Sequence, residues 1–337
     1  MKKSLLALAA LTAFAGAASA QSSVTLFGIV DAGIARLSAG GKSVTGMTNS
    51  GYNSSRLGFR GVEDMGGGLQ AGFWIEGALS NDDGNAAGMN WQRRSTVSLM
   101  GGFGEIRLGR DYTPTFWNLT VYDPWGTNGI GQAASIALVP GNQATAVRSN
   151  NAISYFLPAM GGFQGQVMYA FGENVSGGAK TNNYLGFRFG YAAGPVSVHA
   201  AYGKVEGATD AADVKDINIA GSFDAGVVKA TLVYAQEKNG AGAKATYIEP
   251  GIQVPLGAGM FKATYGRYDL KDSSNDFNKI ALGYHYNMSK RTVLYTTYAR
   301  ISNKGASAAV VSNNGLAIAG AAGRNASGFE FGVRHAF

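Results

Sequence analysis

The sequence predicts an all-β fold, a 16-stranded antiparallel β-barrel that crosses a membrane. Three observations carry this. From residue 23 onward the 337-residue chain repeats stretches in which apolar side chains alternate with polar or small ones, the 180° period of a half-buried strand. Every second connection between stretches is a tight turn, and the others are mostly longer and polar, the layout of a barrel in lipid. Charged residues are only 15% of the chain, against ~25% in soluble domains. Glycine, at 50 residues, has about twice its usual share.

The same composition excludes several classes. There is no Cys, hence no disulfide framework, thiol catalysis or thiolate zinc site. The 50 Gly show no three-residue period, and 17 Phe with 16 Tyr argue for an ordered chain rather than a linker. The longest apolar run is N-terminal, so no interior helix is expected to span a bilayer.

The first element is a leader. Lys2 and Lys3 precede an apolar run over 5–17, followed by Ala18-Ser19-Ala20. A basic start, a short apolar stretch and a small-x-small site are the parts of a secretory signal peptide over 1–20, cleaved near Ala20. The mature chain, 21–337, then begins at Gln21; losing two lysines and no acid takes its charge from +7 to +5.

Sixteen segments follow: 23–35, 52–63, 69–79, 90–100, 104–110, 150–158, 163–171, 182–192, 195–205, 214–224, 227–237, 243–254, 259–269, 276–286, 291–301 and 327–337. The last is the clearest, with Phe329, Phe331, Val333, His335 and Phe337 on one face and Glu330, Gly332, Arg334 and Ala336 on the other. Short turns include Met65-Gly66-Gly67-Gly68, Gly101-Gly102-Phe103 and Ala193-Gly194; long polar loops are read at 36–51, 80–89, 111–149 and 302–326. An even strand count returns both termini to the short-turn side.

A secreted β-sandwich is the competing architecture, and it would cover its outer faces with charge. Here the polar faces are lean in charge and rich in Gly, Ser, Thr and Asn, while Tyr and Phe gather towards strand ends. A closed barrel also leaves no unpaired edge, which hydrocarbon demands.

Alternation assigns the wall. Leu57 and Phe59 face lipid, so Arg56 and Arg60 face the lumen; Val97 and Leu99 place Arg94 inward; Phe73 and Ile75 do the same for Glu76. Extrapolating from Ile153, Tyr155 and Leu157 puts Arg148 inward. The opposite assignment costs ~2–4 kcal/mol per Arg near the midplane. Each Arg could instead merely pair with a carboxylate such as Glu76. Loop 111–149 is too long for an inert tether. It holds Trp117 and Trp125, and its acids are only Asp111 and Asp123.

The start Ser23-Val24-Thr25-Leu26-Phe27-Gly28-Ile29-Val30-Asp31, the segment from Ser55 through Gly58-Phe59-Arg60-Gly61-Val62-Glu63-Asp64-Met65 to Leu69, the run Gly104-Glu105-Ile106-Arg107-Leu108-Gly109-Arg110 and the terminal Phe337 together resemble Gram-negative general porins. The pattern is most similar to the trimeric porins of β-proteobacteria, of the Burkholderiales and Neisseriales type. The resemblance spans essentially the whole mature chain. It implies an outer-membrane homotrimer with short periplasmic turns, long extracellular loops and a third long loop folded inward to constrict the pore. It also implies passage of small hydrophilic solutes, often with anion selectivity, and an arginine cluster at Arg56, Arg94 and Arg148. Phe337 resembles the signal read by the outer-membrane assembly machinery.

The mechanism expected is passive. Fixed guanidinium charge in a water-filled, low-dielectric lumen concentrates small inorganic and organic anions and repels cations. A channel specific for phosphate or an organic acid is the alternative, separated by saturable conductance. Other signals lead elsewhere only weakly. Gly40-Gly41-Lys42-Ser43 lacks the first glycine of a phosphate loop, since Arg36 stands there. His199, His285 and His335 are isolated on separate strands, so no metal, cofactor or catalytic triad is expected. Asp82-Asp83 and the acids of 269–276 read as solvated loops, with Ca²⁺ binding or bridging of lipopolysaccharide through divalent cations as the alternative, and the mild basic excess does not indicate nucleic acid.

Overall fold

The computed structural model describes residues 23–84, 90–178, 180–312 and 315–337. The leader segment lies outside the described residues. Seventeen strands form one sheet. They are β1 (Ser23–Ala39), β2 (Lys42–Asn49), β3 (Arg56–Gly66), β4 (Leu69–Ala78), β5 (Arg94–Gly101), β6 (Gly104–Tyr112), β7 (Arg148–Phe156), β8 (Phe163–Ala170) and β9 (Tyr184–Ala193). The remainder are β10 (Val196–Val205), β11 (Val214–Asp224), β12 (Lys229–Asn239), β13 (Lys244–Leu256), β14 (Gly259–Leu270), β15 (Phe277–Asn287), β16 (Thr292–Asn303) and β17 (Ala326–Ala336). All pairings are antiparallel, and β1 pairs with β17 from Ile29↔Ala336 to Ala39↔Ala326, which closes the barrel. Two backbone bonds between Gly28 and Phe337 complete the seam at the short-turn end.

Seventeen strands make sixteen staves because β2 and β3 share one. The upper part of β1 pairs with β2, from Ala32↔Asn49 to Ala39↔Lys42. Its lower part pairs with β3, from Ser23↔Val62 to Ile29↔Arg56. This corrects the reading of 36–51 as a long loop: β1 runs on to Ala39, turns at Gly40 and Gly41, both at positive φ, and returns as β2. It also shortens the second segment, which starts at Arg56 rather than at 52. The six residues between β2 and β3 leave the wall because Asp31 draws them in. Its Oδ2 accepts the N–H groups of Tyr52 (2.8 Å) and Asn53 (2.6 Å), and its Oδ1 accepts the Tyr295 hydroxyl at 2.7 Å. One interrupted ladder elsewhere has a plain cause. Glu249 and Pro250 pair with β12 but are skipped by β14, as fits a proline with no N–H to give.

The two faces of the wall differ as lipid and lumen require. Ile280 and Leu282 are exposed on the outer face of β15, while Lys279, Ala281 and His285 between and beside them are buried. Phe329, Phe331 and Val333 are likewise exposed around a fully buried Glu330. The buried apolar cluster is not a barrel-filling plug of strand residues alone. It joins wall residues such as Leu37, Tyr247 and Ile301 to Leu119, Tyr122, Trp125, Ile130 and Val139 of the long segment after β6. That segment folds into the barrel.

One irregularity places the site. The β6–β7 register shifts between Gly109 and Asp111, and Gly109 sits at φ +120°, where a Cβ would collide with the Ser95 carbonyl oxygen. No side chain fits there. Gly109→Ala is expected to cost about 1–3 kcal/mol and to lower the temperature at which the folded barrel unfolds on heating in detergent; an unaltered transition would contradict this account of the bulge.

Candidate functional site

The site begins where β3, β4, β5, β6 and β7 end at the long-loop side. Glu76 on β4 lies opposite Arg94 on β5 and is buried, with ion pairs to Arg93 Nε at 2.6 Å and Arg56 Nη1 at 3.3 Å. Trp74, two residues before it, donates its indole N–H to Glu76 at 3.2 Å. The bulge at Gly109 carries Asp111 inward, where it pairs with Arg107 at 2.6 Å and Arg94 at 3.6 Å. Glu105 holds Arg107 at 2.8 Å.

Aromatic rings back most of these cations. The Arg94 guanidinium lies 4.6 Å and that of Arg60 5.1 Å from the Trp74 ring centre. Arg107 lies 4.1 Å over Phe156, and Arg148 lies 4.4 Å over Tyr112. Such stacking holds a guanidinium by its face and leaves its N–H edge to oxygen acceptors, which for Arg107 are Glu105 and Asp111. The Tyr112 hydroxyl accepts from both Arg148 (2.9 Å) and Arg93 (3.1 Å). A cavity of about 540 Å³ opens here, lined by Arg56, Trp74, Glu76, Arg93, Arg94, Arg107, Asp111, Tyr112 and Trp117 among others.

The structure thus brings Arg56, Arg60, Arg94, Arg148 and Glu76 into one region, with Asp111 among them. Arg148 arrives by a different route from the one its sequence suggests. Alternation does not run unbroken through β7, because Gly109 faces Ala152 but Asp111 faces Ser149, and Asn151 stands at φ +52°. Arg148 joins the group through Tyr112 at the strand's rim. Sequence reasoning missed Arg93, Arg107 and Arg188. Arg107 follows the alternation rule, flanked by the exposed Ile106 and Leu108, and was legible. Arg93 was not, since it precedes β5 at a bend and turns inward against parity.

The segment after β6 opens with helix α1 (Pro114–Tyr122), with Pro114 at its first turn, where a missing N–H costs nothing. Its inner face packs on β9, β10 and β11. Asn118, fully buried, donates to Asn218 Oδ1 (2.8 Å) and to the His199 carbonyl (3.2 Å), and accepts from Arg188 Nε at 2.9 Å. Beyond α1 the wall pins the loop repeatedly. Lys262 and Lys279 donate to the carbonyls of Pro124 (2.7 Å) and Gln132 (2.6 Å), and Glu237 accepts the N–H groups of Leu138 (2.8 Å) and Val139 (3.2 Å).

The four loop residues singled out by sequence therefore divide. Asp111, the last residue but one of β6, lines the cavity. Trp117 is exposed beside it. Trp125 is buried, with its indole N–H on Thr264 Oγ1 at 3.1 Å. Asp123 is buried and accepts N–H groups from Trp125, Thr127 and Ala133. Burial pushes the Asp123 carboxyl above its ordinary value, opposed by those three N–H groups and by Lys279. Asp123 and Trp125 fasten the loop.

A closed β-wall with an apolar exterior, a polar interior and a loop pinned across it defines a transmembrane barrel channel. Residues 7–306 match the family described as Gram-negative porin. The chain is 43% identical over 352 residues to outer membrane porin protein 32 of Delftia acidovorans, with all of both chains covered. It is 32% identical to an outer membrane porin protein of Bordetella pertussis, over 89% of this chain and 94% of that one. Among solved structures, the anion-selective porin from Comamonas acidovorans superposes with a TM-score of 0.87 at 40% identity, covering 94% of this chain and 100% of that one. The chain belongs to the Gram-negative porin family. It is an outer-membrane porin, a channel for small hydrophilic solutes.

Proposed function

We propose that this porin is anion-selective and that Arg56, Arg94 and Arg148, with Arg60, Arg93 and Arg107, set the selectivity. One observation carries the reading: around the constriction six guanidiniums meet three carboxylates, Glu76, Glu105 and Asp111. Arg60 and Arg148 make no ion pair among the described residues. Pairing with Glu76 accounts for Arg56 and Arg93 in part, but it leaves a net positive ring. Low-dielectric walls focus that field into the pore, and binding at any one edge stays weak enough for release. The similarity to the anion-selective porin from Comamonas acidovorans supports this reading.

The test is the reversal potential of the refolded protein in a planar bilayer under a KCl gradient. A chloride-favouring sign is expected, and a potassium-favouring one defeats the proposal. Raising the salt to 1 M should move the chloride-to-potassium ratio towards unity, because the Debye length drops to ~3 Å.

The same reading starts the mature chain at Gln21, with the short turns in the periplasm. It has the chain assembled as a homotrimer in contact with lipopolysaccharide, with Phe337 read by the assembly machinery. N-terminal sequencing of the outer-membrane form and its mass by light scattering test the first residue and the trimer; a start at Met1 or a monomer mass rejects the corresponding part.

A further inference from the structure

We infer that the constriction cavity is a subsite for planar aromatic carboxylates, with the ring on Trp117 and the carboxylate on the neighbouring guanidinium edges. This rests on the anion-selective reading and names a substrate class for it. The argument starts from an indole that packing does not explain. The loop's other large rings are put away, with Phe116 at 6%, Tyr122 at 2% and Trp125 at 3% exposure, whereas Trp117 on the same helix is 43% exposed. It lines the cavity rather than the lipid face. A channel for inorganic ions alone has no use for an open indole, and exposing one to pore water is unfavourable.

Its surroundings supply the second half of a ligand site. Trp117 leans on Tyr112, ring centres 5.9 Å apart. Tyr112 in turn carries Arg148 on its face and accepts from Arg93 and Arg148 at its hydroxyl. An apolar plate thus sits one ring away from Arg148, whose face lies on Tyr112 and which makes no ion pair among the described residues, so its edge is the part that can grip a carboxylate. The cavity, about 540 Å³, falls in the range of ~300–1,000 Å³ typical of small-molecule sites.

Chemistry separates this from a general apolar preference. Benzoate and cyclohexanecarboxylate share their charge and ring size. The saturated ring is the more hydrophobic of the two, and only benzoate is flat. The experiment measures block of the chloride current by each, in wild type, Trp117→Leu and Trp117→Phe, with heat-modifiable gel mobility as the check on folding. Wild type should be half-blocked at a benzoate concentration about fivefold lower than for cyclohexanecarboxylate. Trp117→Phe should keep the preference, and Trp117→Leu should lose it. Equal block by the two acids in wild type, or a preference that survives in Trp117→Leu, overturns the inference. If those membranes show a chloride-favouring reversal potential, the anion reading stands and only the aromatic subsite fails; a potassium-favouring one removes both.

Discussion

Replacing Arg56, Arg94 and Arg148 together by alanine should abolish the channel's preference for chloride. The triple variant leaves Arg60, Arg93 and Arg107 against Glu76, Glu105 and Asp111, a constriction with no net charge. Each single substitution has a calculable size. A unit charge ~8 Å from a permeating ion, at an effective dielectric of ~60, contributes about 0.7 kcal/mol. Screening at 0.1 M roughly halves this. Anion and cation feel it with opposite signs, so each arginine changes the chloride-to-potassium ratio about threefold, and the three together more than tenfold. Reversal potentials at low salt read this directly. A ratio in the triple variant equal to that of the wild type would sink the assignment. Arg148→Ala is the cleanest single variant, because Arg148 has no carboxylate partner among the described residues, whereas removing Arg56 also loosens Glu76.

How much of this was legible follows from what alternation can and cannot encode. Thirteen of the sixteen segments were read to within two residues of their final bounds, because each has one face in lipid, where apolar residues are obligatory, and one in water; the fourth, read from 90, begins only at Arg94. The misreading fell on 36–51. There β1 carries Arg36 on its outer face, beyond the apolar band, and β2 is rich in Thr, Ser and Gly, so a rim strand looked like a loop. The excursion that follows depends on Asp31, twenty or more residues away, and no local pattern announces such a contact. At the site, parity placed Arg56, Arg60, Glu76 and Arg94 because their strands are regular. Arg148 meets the group through Tyr112 and not through the alternation, which the bulge at Gly109 breaks. Arg93 stands outside any strand, and Tyr112 and Trp74 became part of the site only through the cations stacked on them.

Selectivity also requires the cavity to keep its shape, and the position of the inward loop sets that shape. Asn118 makes the largest group of bonds that fix the helix, beside the Tyr122 hydroxyl on Ser197 and His199. Its amide serves Asn218 and the His199 carbonyl while its oxygen takes Arg188 Nε, all in a buried setting. Asn118→Leu keeps the approximate volume and removes every one of these bonds, leaving a buried guanidinium edge without its acceptor, at a cost of about 3 kcal/mol. The barrel wall has its own ladder and does not depend on that contact, so the penalty should fall on the loop. The expected result is a folded barrel whose open-channel current fluctuates more than wild type and whose loop becomes sensitive to chymotrypsin at Phe116, Trp117 or Tyr122. Trypsin serves as the control, since the loop from Thr113 to Val147 contains neither Lys nor Arg. Asn118→Asp restores an acceptor for Arg188 but cannot donate to Asn218 or His199, so it should fall between the two. Current noise and protease resistance in Asn118→Leu equal to those of wild type would mean that the remaining wall contacts, from Lys262, Lys279, Glu237 and Thr264 to the loop and from Ser197 and His199 to Tyr122, hold it without Asn118.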